Sequence, residues 1–283
     1  MLKYRLLRER IASSPEIVCD LRLPPAASDS QLLHVHTRDY VEKITRGKLS
    51  PLEERRIGFP WSRQMVERSR RSTGATIAAG RSALRDSIAC NLAGGTHHAF
   101  ADNGQGYCVF NDVCVAIKSL QEERLIQSAA VIDCDVHQGN GTASITAQDD
   151  SIFAMSIHCE KNYPFQKTNG DLDIALPAGT ADDAYLASLT NFIPNLLQEV
   201  DPDIVFYLAG ADPFQGDRLG LLSLSKQGLK RRDQHVISNC LSRKIPLAIC
   251  MAGGYAPNVE DIVDIHFSTV ADAYHHSPKG PSP

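Results

Sequence analysis

Four short apolar runs in the second half of the chain constrain its fold more than any other feature. They cover residues 129–132, 152–157, 204–209 and 247–252 and are almost free of charge. Such runs are typical of strands buried on both faces, which occur in parallel sheets covered by helices. The regular alternation of these runs with helical segments predicts an α/β fold, built as a single three-layer αβα domain with a central, mostly parallel sheet.

The segments between the runs predict helices. Residues 180–183 resemble a variant capping box, and apolar residues follow them at helical spacing up to Val200. Further helices are predicted over residues 62–92, from Ser225 onward and from Val259 onward. Residues 22–60 contain several prolines and are predicted to be mainly loop.

Length, charge and cysteine usage exclude several classes of protein. A chain of 283 residues is long enough for one large domain, which we expect over residues 1–276, with a disordered tail at 277–283. The net charge of -4 disfavours a nucleic-acid-binding module. No window approaches the roughly 18 apolar residues of a membrane span, and the basic first ten residues lack the apolar stretch of a secretory signal. The eight cysteines form no C-x-x-C pair, so we expect reduced thiols in a cytoplasmic protein.

Polar residues follow the end of each apolar run. In chain order they are Asp133, Asp135 and His137, then His158, then Asp212, then Gly253, Gly254 and Tyr255. Ligands of parallel α/β sheets bind beyond the carboxyl ends of the strands, so these residues are expected at one edge. Asp135 and His137 are two apart and share a side of an extended chain. With Asp212 they offer two carboxylates and one imidazole as metal ligands. Zn²⁺ accepts three such ligands and keeps a fourth coordination position open for water, and Fe²⁺ accepts the same ligands.

Asp133 is expected to point away from Asp135. A buried carboxylate needs a partner, and an imidazole of the metal site or a cation would provide one.

Four segments together resemble the zinc-dependent histone deacetylase family, which includes bacterial relatives and acetylpolyamine deacetylases. They read GGTHHAFADNGQGYCVFND, VIDCDVHQGNGT, GADPFQGDRLG and MAGGY, in the order of the family. HQGNG and GDRLGLLSLS resemble the class IV branch. The resemblance implies the arginase/deacetylase fold, a catalytic domain over most of the chain, and zinc-dependent removal of an acetyl or longer fatty acyl group from acyl-lysine or a related acylated amine.

The resemblance also implies roles for individual residues. By similarity the zinc ligands are Asp135, His137 and Asp212. His98 would be general base and then general acid, with Asn140 as its partner. His97 would pair with Asp133 and stabilise charge, and Tyr255 would donate a hydrogen bond to the scissile carbonyl. The acyl channel would be lined by Gly106, Tyr107, Leu219, Gly253 and Gly254. A structural K⁺ would be held, largely by main-chain carbonyls, at Asp133, Asp135, His137, Ser156 and Ile157.

Four departures from the family pattern bear on function. Many relatives carry Asp where this chain has Asn140, so His98 should be less basic than in those relatives. Leu219 stands where polyamine-selective relatives carry an acid, which disfavours a polyamine substrate. IGFPWS, residues 57–62, lacks the acid with which class I relatives clamp a peptide backbone. Relatives usually begin with a strand before the segment resembling KYRLLRER, so either the start is unusual or an edge strand is lacking, and we expect an exposed sheet edge.

Other functions remain open on the sequence alone. They are an acetylpolyamine or other small-molecule deacetylase, a non-catalytic module that binds acyl-lysine, and a manganese ureohydrolase, which would need more aspartates at the strand ends. Partners are expected to be an acylated lysine or small acylated amine, with no nucleic acid and no membrane. His34 and His36 are expected in a surface segment without a catalytic role.

Overall fold

The structure is a computed structural model that describes residues 2–277. Of the tail predicted to be disordered, residues 278–283 lie outside this part. The strands are β1 Ile88–Asn91, β2 Ala129–Asp133, β3 Ile152–Cys159, β4 Leu172–Leu176, β5 Val205–Leu208 and β6 Leu247–Cys250. The helices are α1 Leu2–Ser13, α2 Asp29–Leu32, α3 Arg38–Arg46, α4 Pro51–Ile57, α5 Arg63–Asp86, α6 Asp112–Glu122, α7 Asn140–Thr146, α8 Asp182–Val200, α9 Lys226–Ser242 and α10 Val259–His276.

The strands form one six-stranded sheet in the order β1-β6-β5-β2-β3-β4. Every neighbouring pair is parallel. β6, β5, β2 and β3 are therefore interior strands, and β1 and β4 form the two edges. All carboxyl ends lie on one side of the sheet, as parallel pairing requires.

Each face of the sheet buries its own hydrophobic core. Val205 and Tyr207 of β5 belong to one core, which α1, α8, α9 and α10 complete. Phe206 and Leu208 belong to the other core, which is completed by α2 to α6. This alternation, with period two along a buried strand, gives the three layers. The predicted αβα architecture is confirmed, and the sheet is parallel at every pair.

The four apolar runs form β2, β3, β5 and β6, as predicted. The two edge strands were not predicted. The helix expected over 62–92 ends at Asp86, where Ser87 takes a positive φ of 73°, and β1 follows directly. β4 reads LDIAL and exposes alternate residues, so it lacks the continuous apolar run of an interior strand.

Two local predictions were wrong. Ala181 begins α8 without any side-chain cap, and the Thr180 hydroxyl donates instead to the Pro177 carbonyl at 2.7 Å. Residues 22–60 are not mainly loop, because they contain α2, α3 and α4. Ser28, Thr37 and Ser50 cap these three helices with their side-chain oxygens.

β1 pairs with β6 and, among residues 2–277, with no other strand. Its first three residues are only partly buried. Within residues 2–277, no helix combines the length and hydrophobicity needed to span a membrane.

His36 is buried, with 3% of its surface exposed, so its expected surface position was wrong. Its Nδ1 donates to the Phe100 carbonyl at 3.0 Å, and its Nε2 accepts from the Asn111 N–H at 3.0 Å. One nitrogen donates and the other accepts, so the ring must be neutral. Burial lowers the pKa of His36 from 6.5 to about 4, although nearby main-chain carbonyls oppose the shift.

We predict that His36 makes the protein less stable in acid. Between pH 6.5 and 4 the unfolded chain binds a proton that the folded chain does not, so the free energy of unfolding falls as pH falls. The full effect is about 3 kcal/mol, at about 1.4 kcal/mol per pKa unit. Chemical denaturation across this range should show a shallower pH dependence in His36→Gln. His34→Gln, at an exposed position, is the control, and equal slopes in all three proteins would contradict the prediction.

Candidate active site

The loops that follow four of the strands converge at one edge of the sheet. The tandem histidines His97 and His98 follow β1 through the turn at Gly94 and Gly95, both of which have positive φ. Asp135 and the residues around it follow β2. Asp212 follows β5, and Tyr255 follows β6. The convergence expected from the sequence is therefore present.

Asp135, His137 and Asp212 form a buried cluster that could hold a metal ion. One potential ligand atom from each lies within 4.8 Å of the others. His137 Nδ1 is 2.9 Å from Asp135 Oδ1 and 3.3 Å from Asp212 Oδ2. Asp212 Oδ2 is buried and has no hydrogen-bond partner in the structure. A buried carboxylate oxygen without a partner, next to a second carboxylate and an imidazole, is suited to bind a cation that takes nitrogen and oxygen ligands.

The charges of this cluster point to the same fit. Burial and the neighbouring Asp135 carboxylate raise the pKa of Asp212 to about 7. Burial lowers the pKa of His137, but the neighbouring Asp135 and Asp212 carboxylates more than offset this and raise it to about 10. Two buried carboxylates with oxygens within 4.8 Å repel each other, and a cation between them would relieve the repulsion.

Gly253 allows the carboxylates to meet the loop after β6. Its N–H donates to Asp135 Oδ2 at 2.8 Å. A Cβ at this position would overlap Asp212 Oδ2, so no larger residue fits. Gly253 was expected to line the acyl channel, and the structure adds that its lack of a side chain allows the loop to approach the two carboxylates.

His97 and His98 stack beside the cluster, with ring centroids 4.1 Å apart. His97 Nδ1 lies 2.6 Å from Asp133 Oδ2, and His98 Nδ1 lies 2.7 Å from Asn140 Oδ1. Both pairings suggested by the resemblance are present. Burial lowers the pKa of His97, but Asp133 and Asp135 outweigh it and raise the pKa to about 9. Burial and the charges of His97 and His137 lower the pKa of His98 well below 6.5.

Asp133 does not point away from Asp135, contrary to the expectation. Its Oδ1 accepts from the Asp135 N–H at 3.1 Å, and its Oδ2 pairs with His97. His97 Nε2 is also within 3.9 Å of Asp135 Oδ1, so both carboxylates face one imidazole. Residues two apart on an extended chain share a side, so alternation itself places Asp133 and Asp135 together, and the expectation did not follow from it.

Three of the residues expected to hold K⁺ lie on the neighbouring strands β2 and β3. Asp133 is paired with Ser156 in the β2–β3 register, and Ile157 follows Ser156 along β3. A cavity of about 10 Å³ is lined by Asp133 and Ser156, among other residues. Ser156 Oγ also lies 3.0 Å from His158 Nδ1, which accounts for a histidine outside the metal cluster.

Aromatic rings lie beside the cluster, next to residues expected to line the acyl channel. Tyr107 lies 6.0 Å from Tyr255, and Tyr163 packs edge-on against His98 at 4.9 Å, as measured between ring centroids. Gly106 has φ +54°, and a Cβ there would collide with His98 and crowd Tyr163. Leu219 and Tyr107, both expected in the channel, are 38% and 44% exposed.

Three residues that support the site were not singled out in the sequence. Asp217 accepts from the Tyr255 N–H at 2.6 Å and from the Leu219 N–H at 2.8 Å, so it ties the tyrosine loop to the channel mouth. Asn162 donates to the Leu219 carbonyl at 2.7 Å. Gln138 donates to Asp173 at 2.7 Å and bonds the backbone of Thr168. Their contacts join segments far apart in sequence, and single residues of these types carry no distinctive signal.

Comparison with known proteins identifies the family. A family model described as "Histone deacetylase domain" matches residues 2–270. An uncharacterized protein of Picosynechococcus sp. is 44% identical over 270 residues, covering 94% of this chain and 89% of that protein. Histone deacetylase 2 of Arabidopsis thaliana is 30% identical over 249 residues, covering 82% of this chain and 62% of that protein. The acetoin utilization protein AcuC of Bacillus subtilis is 30% identical over 228 residues, covering 72% of this chain and 58% of that protein.

A solved structure has the same fold as this chain. The crystal structure of the HDA15 HD domain superposes with a TM-score of 0.80 at 21% identity, covering 95% of this chain and 82% of that one. The protein is thus an αβα hydrolase of the deacetylase type. More specifically, the chain belongs to the histone deacetylase family. It spans less than two thirds of the length of the Arabidopsis and Bacillus relatives.

We predict that Asp135, His137 and Asp212 bind one divalent metal ion per chain. Replacing Asp212 with Asn removes a carboxylate charge from the site, so metal content measured by elemental analysis after dialysis should fall sharply. Asp112→Asn is the matched control, because Asp112 is also fully buried but bonds the Thr76 hydroxyl and the Thr96 N–H instead of any residue of the cluster. Stoichiometric metal in the Asp212 variant would show that the ion binds elsewhere.

Proposed function

We propose that the protein is a zinc-dependent deacylase that hydrolyses the amide of an acylated lysine or a related acylated amine. The observation that carries the proposal is the convergence of the buried Asp135–His137–Asp212 cluster with two stacked histidines and Tyr255. This arrangement offers ligands for a metal, a base and a hydrogen-bond donor around one point. Fe²⁺ would fit the same donor set.

A Zn²⁺ ion held by Asp135, His137 and Asp212 would supply Lewis acidity for the scissile carbonyl and for the attacking water. The Mn²⁺ ureohydrolase alternative is disfavoured, because within residues 2–277 the structure brings together one such cluster, with two carboxylates, and no second one beside it.

His98 is the proposed base. The Asn140 side-chain oxygen can only accept, so Nδ1 of His98 carries the proton and Nε2 keeps its lone pair. The low pKa of this ring keeps it neutral and able to take a proton from water. The same nitrogen then returns a proton to the departing amine. Asn140 provides no negative charge, which keeps His98 a weaker base than it would be beside Asp.

His97 is the proposed electrostatic partner. Asp133 holds its Nδ1–H, and its pKa near 9 keeps the ring positively charged at neutral pH. A positive imidazolium stacked on His98 stabilises negative charge that develops on the substrate, and it opposes premature protonation of His98.

Tyr255 is the proposed donor to the substrate carbonyl oxygen. Its ring lies 6.3 Å from the His137 ring, measured between centroids. Burial and the charges of Asp135 and Asp212 raise its pKa well above 10, so its hydroxyl stays protonated and able to donate. A fixed donor aimed at a developing oxyanion lowers the barrier because it needs no reorganisation during the reaction.

The channel mouth supports an apolar or neutral substrate over a polyamine. Leu219 stands at the mouth without a charge, and Phe59 packs against Tyr107 with ring centroids 5.2 Å apart. No acid of residues 57–62 faces the channel, since that segment contains none. An acetyl group and a longer fatty acyl chain are both candidates for the group removed.

We predict that Tyr255→Phe lowers kcat by about 100- to 1000-fold, since it removes one oxyanion donor. The assay is hydrolysis of matched acetyl-lysine and myristoyl-lysine peptides by zinc-loaded protein. Tyr107→Phe, which removes a hydroxyl from the neighbouring ring, should stay close to wild type. The ratio of the two rates in wild type separates a deacetylase from a fatty deacylase.

Two results would redirect the proposal. An unchanged kcat in Tyr255→Phe would exclude the proposed role of the hydroxyl. Zinc bound stoichiometrically without turnover of either peptide would favour a small acylated amine as substrate, or a module that binds acyl-lysine without hydrolysing it.

We further propose that K⁺ binds beside the cluster, at Asp133, Asp135, His137, Ser156 and Ile157. The register of Asp133 with Ser156 and the small cavity between them support this. Replacing K⁺ by choline at constant ionic strength should lower both the thermal unfolding midpoint and the turnover rate. Identical values in the two salts would argue against a functional K⁺.

A further inference from the structure

Arg232, on the buried side of α9, is completely shielded from solvent, with 0% of its surface exposed. Its Nη1 donates to two main-chain carbonyls, that of Gly210 at 2.7 Å and that of Cys134 at 3.2 Å. Burying a guanidinium costs desolvation free energy unless its charge and its N–H groups are paired. Here the guanidinium hydrogen-bonds two main-chain carbonyls.

The two carbonyls belong to the two segments that carry the metal-binding carboxylates. Cys134 directly precedes Asp135, and Gly210 lies two residues before Asp212. The pairing of β2 with β5 ends nearby, at the bond from the Cys134 N–H to the Leu208 carbonyl. Beyond that bond the sheet no longer fixes the distance between the segments, and Arg232 bridges them at this point.

The guanidinium is itself fixed from the other side. Asp233 Oδ1 accepts from Arg232 Nε at 2.9 Å and lies 2.8 Å from Nη2. Asp233 in turn accepts from the Tyr207 hydroxyl at 2.5 Å and from the Thr269 hydroxyl at 2.6 Å. A planar fork held at one end presents its remaining donors in one direction, which a flexible ammonium group does not.

We propose that Arg232 is a positioning residue that sets the separation of Asp135 and Asp212, and thereby the affinity and geometry of the metal site. The inference rests on the proposed metal centre. Groups that orient metal ligands from behind typically contribute about 10- to 100-fold to metal affinity. Neither carboxylate touches Arg232, so its effect is transmitted through the backbone of Cys134 and Gly210.

The test measures metal binding in folded protein instead of turnover. Zinc affinity is obtained by competition with a chromophoric chelator, and the ligand geometry is followed in the visible absorption spectrum of cobalt-loaded protein. Arg232→Lys keeps the charge but loses the fork, so we expect affinity about 10- to 100-fold weaker and an altered cobalt spectrum. Asp233→Asn keeps the bonds to both carbonyls but weakens the anchor, so we expect a smaller loss of about 3-fold.

Val236→Ala is the matched control. Val236 is fully buried on the same helix, so its truncation lowers stability without touching the ligand segments. It should keep wild-type affinity and the wild-type cobalt spectrum. If it loses as much affinity as Arg232→Lys, the role of Arg232 is merely structural and the proposal is overturned.

Wild-type affinity and spectrum in Arg232→Lys would also overturn it. If that variant does not fold, Asp233→Asn decides, and unchanged affinity there overturns the proposal. A wild-type protein that binds no zinc would instead refute the metal centre itself, which separates the two failures.

Discussion

The crowding of two buried carboxylates is the constraint on which the rest of the site depends. Asp135 and Asp212 come from the ends of neighbouring strands and both meet the Nδ1 of His137. Away from water such a pair is unstable unless protons or a cation compensate for it. The surrounding structure offers little else to Asp212 Oδ2, which has no hydrogen-bond partner. The arrangement of Asp135, His137 and Asp212 is therefore suited to a metal ion.

The parallel sheet makes the crowding possible. β2 and β5 are adjacent in the sheet although their first residues, Ala129 and Val205, are 76 positions apart in the sequence. Parallel pairing brings their carboxyl ends to the same edge, where Gly253 from β6 closes in without a side chain. The two histidines differ in pKa because Asp133 and Asp135 outweigh burial and raise the pKa of His97, whereas burial and the charges of His97 and His137 lower that of His98. One fold thus holds a cation site, an imidazolium and a free imidazole within a few ångströms.

Much of this was predictable from the sequence, for identifiable reasons. Interior strands form continuous apolar runs, so β2, β3, β5 and β6 were found. Parallel strands end at one edge of the sheet, so Asp135, His137 and Asp212 were expected together, and the structure brings them together. The edge strands β1 and β4 lack such runs. His36, Asp217 and Arg232 could not be identified, because their roles arise from main-chain groups distant in sequence that only the folded chain brings to them. The side-chain direction of Asp133 was predicted wrongly because strand alternation, which places residues two apart on one side, was applied to Asp135 and His137 but not to Asp133 and Asp135.

The central claim is that a metal ion occupies the space among Asp135, His137 and Asp212. The most direct test is an anomalous difference map from crystals of the wild-type protein grown with zinc, recorded on both sides of the zinc absorption edge. The account predicts one strong peak, present only above the edge, in contact with these three side chains and open on the side of His98 and Tyr255. A map without a peak there, or with its zinc peak bound by other residues, would contradict it.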